Sequence, residues 1–193
     1  MYTLGLDIST SNVGFVVLDK SLSLIYADAL NLSTDKTLTQ KADKVQQKIL
    51  EISKKFSVSQ VAIEQNLQAF RPGFSSAKTL FTLARFNGVV TYLLSKTLGL
   101  EVSEINVNHA RKVVGLKINR KSDKKTKEQV WDWVSSRDLA GFKWPYKTIS
   151  RGQRKGRVIL AEQAYDIADA YVIAVACLYE SGSINTQKSE VSL

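Results

Sequence analysis

Tyr2, Leu4, Leu6 and Ile8 alternate with smaller or polar neighbours at the start of the chain, so the Tyr2–Ser9 run has the period of a β-strand. A turn signal at Ser11-Asn12 leads to a second β-rich run, Gly14–Asp19, and Ser23–Leu32 supplies a third. Three such runs on short turns make an antiparallel meander. The period then changes, with Ala42, Val45, Ile49, Ile52 and Phe56 recurring at helical spacing. Val58–Glu64 reads as a short apolar strand, and Ser75-Ser76 can cap a helix running to about Leu98. Glu101–Val107 gives a fifth strand, Asn108–Gly115 a short helix and Lys124–Leu139 a longer one. Gly141–Arg157, with its glycines, Pro145 and six basic residues, reads as a long basic loop. The last helix, about Leu160–Tyr179, is apolar almost all round and should pack on a sheet. The expectation is an α/β domain over residues 1–180, followed by a polar tail over 181–193. Its mixed five-stranded sheet joins the antiparallel meander to parallel strands, with helices on both faces.

Charge narrows the function. The 193 residues carry 27 Lys and Arg against 18 Asp and Glu, a net charge of +9. Residues 111–157 alone hold 15 of those bases and only 4 acids, so one stretch carries the whole excess. A concentrated basic segment suggests a polyanionic partner. Arg111, Lys112, Lys117, Arg120, Lys121, Lys124, Lys125 and Lys127 precede or open one helix, and Arg151, Arg154, Lys155 and Arg157 lie beyond it. They are the candidate nucleic-acid contacts, although most charge runs are simply solvated surface. Asp7 interrupts the apolar core a signal peptide would need, and Asp169 interrupts the longest apolar run. The expectation is a soluble, cytoplasmic protein with no membrane partner. The single cysteine, Cys177, excludes an internal disulfide and is most simply a packed core thiol.

Four acids sit in apolar surroundings. Asp7 lies in Leu4-Gly5-Leu6-Asp7-Ile8, and Glu64 ends Val61-Ala62-Ile63-Glu64. Asp166 and Asp169, three apart, share one side of the last helix. If the two strands are neighbours and that helix crosses their ends, four carboxylates converge. Such a cluster repels itself unless a hard cation neutralises it. Mg²⁺ asks for one or two carboxylates plus water and phosphate oxygens, and an ion pair would serve a phosphodiester displacement. Structural explanations stand beside this one. Asp7 could accept from the Ser9–Asn12 turn, Glu64 could pair with Arg71 or Arg85, and Asp166 could complement its helix dipole.

In order along the chain, Leu4-Gly5-Leu6-Asp7 with Gly14, Ala62-Ile63-Glu64-Gln65 and Ala84-Arg85-Phe86-Asn87-Gly88-Val89 resemble segments of the RuvC family of Holliday junction resolvases. Lys112-Val113-Val114-Gly115, Lys127-Glu128-Gln129-Val130 and Asp166-Ile167-Ala168-Asp169-Ala170 are similar to three further segments. The resemblance implies an RNase H-like fold and a homodimer acting on branched DNA, above all four-way junctions. It implies paired nicks that leave 5′-phosphate and 3′-hydroxyl ends. Asp7, Glu64, Asp166 and Asp169 would hold Mg²⁺ or Mn²⁺, two ions per site. Lys127, with Lys112 as a second candidate, would stabilise charge on the scissile phosphate. The family often sets a junction-probing aromatic three residues after the second acid. That position is Leu67 here, with Phe70 or Phe74 as candidate replacements.

Three rivals remain. The opening strand and turn also resemble those of actin-like ATPases and sugar kinases, which need a second such domain. An RNA–DNA hybrid nuclease would share the acids and the fold. A junction-binding module without cleavage would keep the bases but has no need of the four acids. His109, the only histidine, suits a cap or surface role, and Trp131 and Trp133 cannot share a helix face. Trp144 could either stack on DNA or pack against the protein.

Overall fold

The computed structural model describes residues 1–65, 76–137, 139 and 141–182. The opening runs become β1 (Tyr2–Ile8), β2 (Asn12–Leu18) and β3 (Leu24–Asn31), paired antiparallel in chain order. Helix α1 (Leu38–Lys55) starts at Thr37. The Thr37 hydroxyl accepts from the Gln40 N–H, and the Gln40 side chain accepts from the Thr37 N–H, a capping box. Strand β4 (Val58–Glu64) runs parallel to β1, and α2 (Ala77–Leu98) begins with Ser76 capping the Thr79 N–H. Strand β5 (Val102–Ile105) pairs parallel with β4 and leads into the short α3 (Val107–Val113). The sheet order is β3-β2-β1-β4-β5.

Strand alternation sorts the core into two layers. Leu4, Leu6, Ile8, Val13, Phe15, Val17, Val61 and Ile63 pack with the buried faces of α1 and α2. On the other face Val16, Leu18 and Ala62 pack with residues of α3, α4 (Thr126–Ser135) and α5 (Gln163–Glu180). Twelve of the 18 residues of α5 are buried, which makes it the central helix of that layer. Cys177 is among them, as expected, and burial pushes its thiol up to about 11.

The structure departs from the sequence reading at three points. Gly141–Arg157 is not one irregular loop, because β6 (Tyr146–Thr148) and β7 (Val158–Leu160) pair as an antiparallel ribbon. Ile149 extends that pairing by donating to Arg157 O and accepting from the Gly156 N–H. Because Val158–Leu160 is strand, α5 starts at Gln163 rather than Leu160, and α4 ends at Ser135 rather than Leu139. Among the described residues no helix is long and apolar enough to cross a membrane.

Candidate active site

Asp7 follows Thr3 and Gly5 on the face of β1 turned toward α5, opposite the face that presents Leu4, Leu6 and Ile8 to α1 and α2. Its antiparallel partner is Gly14. On the other side Leu6 pairs with Ile63, so one further step of parallel register sets Glu64 level with Asp7. Helix α5 then lies on this face at backbone contact. A Cβ on Gly5 would come within 2.6 Å of Ala170 O and 2.7 Å of Ala174 Cβ, and one on Gly14 would run into the Asp166 carbonyl. The Asp166 backbone therefore rests on the residue paired with Asp7, and Asp169 follows one helical turn later. Two strand glycines set the position of the two helix acids.

The carboxylates feel one another strongly. Burial, then repulsion from Asp169, Glu64 and Asp166, holds the Asp7 carboxyl well above the usual range, against a smaller pull from Arg111. Burial and Asp169 push Glu64 up to about 7. Burial and neighbouring acids push Asp166 up to about 6. Asp169 also reaches about 6 through burial, although Arg111 opposes the shift. Arg111 Nη2 lies 3.7 Å from Asp169 Oδ1. It is a cation set within the cluster, whereas the sequence suggested a phosphate contact.

Ser9, not Asp7, holds the β1–β2 turn: its hydroxyl accepts from the Asn12 N–H at 2.9 Å and the Ser11 N–H at 3.3 Å. Arg85 is exposed on α2 and forms no ion pair with Glu64, while Arg71 lies outside the described residues. Asp166 does stand in the first turn of α5, yet its Oδ2 is buried without a hydrogen-bond partner. Arg111 Nε is buried and equally unpartnered. Among the described residues no three potential ligands close around one point tightly enough to enclose an ion. A Mg²⁺ or Mn²⁺ site does not require that closure, since waters and phosphate oxygens complete its shell. All-oxygen donors, raised carboxyls and an orphaned Oδ2 suit such a cation.

Lys127 reaches the rim of the site from α4. Its Nζ donates to Glu162 Oε2 at 2.6 Å and lies 4.5 Å from the centre of the Tyr165 ring. The hydrogen bond it donates to Glu162 is the main cause that raises its ammonium above the ordinary value. Lys112, Lys117 and Arg120 are exposed and, with Arg111, line a groove of about 310 Å³ beside α3. Lys121 and Lys125 are exposed, and Lys124 pairs with Asp132 at 2.6 Å. Arg151, Arg154, Lys155 and Arg157 are exposed around the turn of the β6–β7 ribbon. Leu67, Phe70 and Phe74 lie outside the described residues. Trp144 packs edge-on against Trp131 at 5.9 Å and Phe142 at 5.2 Å, the packing alternative. His109 pairs on the surface with Glu180 at 2.9 Å.

Sequence reasoning missed three supporting residues. Nothing in the sequence sets Glu162 apart from the other acids. Asn87, only 3% exposed, donates to the Glu64 carbonyl at 3.4 Å and so ties the end of β4 to α2. Gly5 did carry a signal, because glycine within a strand often marks close backbone approach.

No protein-family model and no curated protein matches the chain. Solved structures do. RuvC from Thermus thermophilus, in complex with a Holliday junction substrate, superposes with a TM-score of 0.63 at 17% identity, over 94% of this chain and 96% of that one. A second structure of Thermus thermophilus RuvC gives 0.60 at 17% identity, with the same coverage. The yeast mitochondrial Holliday junction resolvase Ydc2 gives 0.54 at 15% identity, over 94% of this chain and 79% of that one. The fold is RNase H-like, and the resemblance to RuvC-type resolvases holds at the level of fold.

Proposed function

We propose that this protein is a metal-dependent endonuclease that resolves four-way and related branched DNA by paired nicks, leaving 5′-phosphate and 3′-hydroxyl ends. One observation carries the reading: four carboxylates from two adjacent strands and one helix are packed where none ionises easily, beside a groove lined by bases. The junction-bound RuvC structure with the same fold supports the choice of branched DNA. Asp7, Glu64, Asp166 and Asp169 would hold two Mg²⁺ or Mn²⁺ ions. When bound, the ions supply activated water and neutralise charge on the phosphate.

The chain's own residues do the rest. Arg111 orients Asp169 and offsets part of the cluster's charge. Lys127 stands ready at the rim to stabilise negative charge developing on a phosphate once its hydrogen bond to Glu162 is exchanged for the DNA. Lys112, Lys117, Arg120, Lys121, Lys124 and Lys125 hold the backbone along α3 and the start of α4. Two copies of the chain, one per cut strand, account for paired nicks.

The test uses labelled four-way junction, fork, linear duplex and RNA–DNA hybrid, each with Mg²⁺ and with EDTA. Paired symmetric nicks in the junction that vanish in EDTA are the expected result. Preferential cutting of the hybrid would replace the assignment with a hybrid nuclease. Tight junction binding without cutting in Mg²⁺ or Mn²⁺ would make the protein a recognition module.

A further inference from the structure

The β6–β7 ribbon is the one pair of strands outside the main sheet among the described residues. Its ladder has three residue pairs, and its strands pair chiefly with each other. Tyr146 and Val158 are 58% and 66% exposed. A short two-stranded hairpin of this kind is marginal in water by itself. Its charge makes isolation still less favourable. From residue 139 to residue 161 there is no acid, while Lys147, Arg151, Arg154, Lys155 and Arg157 all lie on the ribbon or its turn. None of these five forms an ion pair among the described residues, whereas Lys44, Lys48, Lys55, Lys124 and Lys127 each do. Among the described residues the protein holds out a basic arm with no paired acid, although Lys147 at its base adds to the field that lowers Glu162.

The arm is nonetheless anchored. At its base Pro145 O accepts from the Ala161 N–H at 2.9 Å, two residues before α5 begins. A cleft of about 450 Å³ separates that base from Ala27, Asp28 and Ala29 of β3. The ribbon therefore leaves the molecule beside one edge strand of the sheet, while the groove of Arg111, Lys112, Lys117 and Arg120 follows β5, the opposite edge. The carboxylates lie between them on β1 and β4. The ladder carries the basic turn roughly 10 Å from its base, at about 3.3 Å per residue. A two-stranded ribbon of this width fits the DNA major groove, where bases can reach phosphates on either side.

We propose that the β6–β7 ribbon is a second DNA-binding element that grips the backbone of a duplex arm other than the one held along α3, and that it confers preference for branched over linear DNA. The inference rests on the branched-DNA reading above. A straight duplex along the β5 side gains little from an arm standing off the β3 side, and a substrate with another arm there gains all of its contacts.

The test compares wild type with the variant Arg151→Gln, Arg154→Gln, Lys155→Gln, Arg157→Gln. Binding to a four-way junction and to linear duplex is measured in EDTA over a salt series, and cutting in Mg²⁺ at saturating junction. The substituted side chains are exposed, so the unfolding temperature should not change, and circular dichroism checks that the fold is retained. Junction affinity should fall roughly 10- to 100-fold, with a log–log salt slope shallower by about 3 to 4, since each of four lost phosphate contacts removes about 0.9. Duplex affinity and the saturated cutting rate should stay within about threefold of wild type. Unchanged junction affinity and slope would overturn the inference, as would equal losses on junction and duplex. A wild-type protein that does not prefer the junction would sink the branched-DNA reading itself, a result visible before the variant is compared. A second variant, with residues 150–156 replaced by Asn-Gly, should reproduce the selective loss.

Discussion

Burial favours the neutral form of Asp7, Glu64, Asp166 and Asp169, and neighbouring acids add to it at the first three, so the cluster is a local destabilisation. Asp7→Asn removes one charge without changing shape. It should abolish cutting by at least about 10³-fold, leave junction binding within about threefold, and raise the unfolding temperature by about 2–4 °C per kcal/mol of repulsion relieved. Gel cleavage and calorimetry on one preparation check all three, and normal cutting would remove Asp7 from the site. At the rim, Lys127→Ala should slow cutting by about 10²-fold. Glu162→Gln should instead tighten DNA binding by about two- to fivefold, because it frees the Lys127 ammonium for a phosphate. Weaker binding in Glu162→Gln would show that the carboxylate orients Lys127 rather than competing for it. The four acids were legible in the sequence because each breaks an apolar run. The places of Arg111 and Glu162 were not, since only the docking of α3 on α5 and of α4 beside it brings their charges to Asp169 and Lys127.

At the scale of elements, α5 and the two glycines beneath it decide the geometry of the site. Gly14→Ala would set a methyl against the Asp166 carbonyl, and Gly5→Ala would set one against Ala170 and Ala174. Backbone cannot yield as a side-chain tip can, so each should cost about 1–3 kcal/mol by overpacking, measurable by urea unfolding. Cutting should fall further than stability does, because the helix that moves away carries two of the carboxylates. Wild-type activity in both variants would show that α5 can shift without disturbing the acids. The long elements were legible for simple reasons: β1 through β4, α1, α2 and α5 are long enough for their periods to show. The ribbon was not, because three-residue strands have no readable period and its Gly-rich, basic turn has the composition of a loop. Its identity depends on cross-strand hydrogen bonds that pair Tyr146 with Leu160 and Thr148 with Val158.

For the whole molecule, protons, metal and DNA act on the same charges. In the folded state burial pushes the Glu64, Asp166 and Asp169 carboxyls up to about 7, 6 and 6, well above the ordinary carboxylate range. Between those limits the folded chain binds more protons than the unfolded one, so stability falls as pH rises through that window and levels off above about pH 7–8. Glu51 is held down to about 2 by Lys48 and then Lys55, and acts in the opposite sense only below its ordinary range. In EDTA the unfolding temperature should therefore decline from pH 5 to pH 8. Mg²⁺ should restore it most at pH 8, where the carboxylates are ionised and free to bind the cation. A flat profile, or equal stabilisation by Mg²⁺ at pH 5 and pH 8, would argue against a shared metal site.

The position of α5 over β1 also has a temporal meaning. A ribosome makes Asp7 about 160 residues before Asp166, an interval of roughly 8–30 s at ordinary elongation rates. Until the segment that forms α5 emerges and docks on Gly5 and Gly14, a nascent chain carries only two of the four clustered acids, on strands whose α5 face is bare. Convergence of the four carboxylates is thereby tied to emergence of the α5 segment, and a nascent chain that stops before it presents only Asp7 and Glu64 of the cluster.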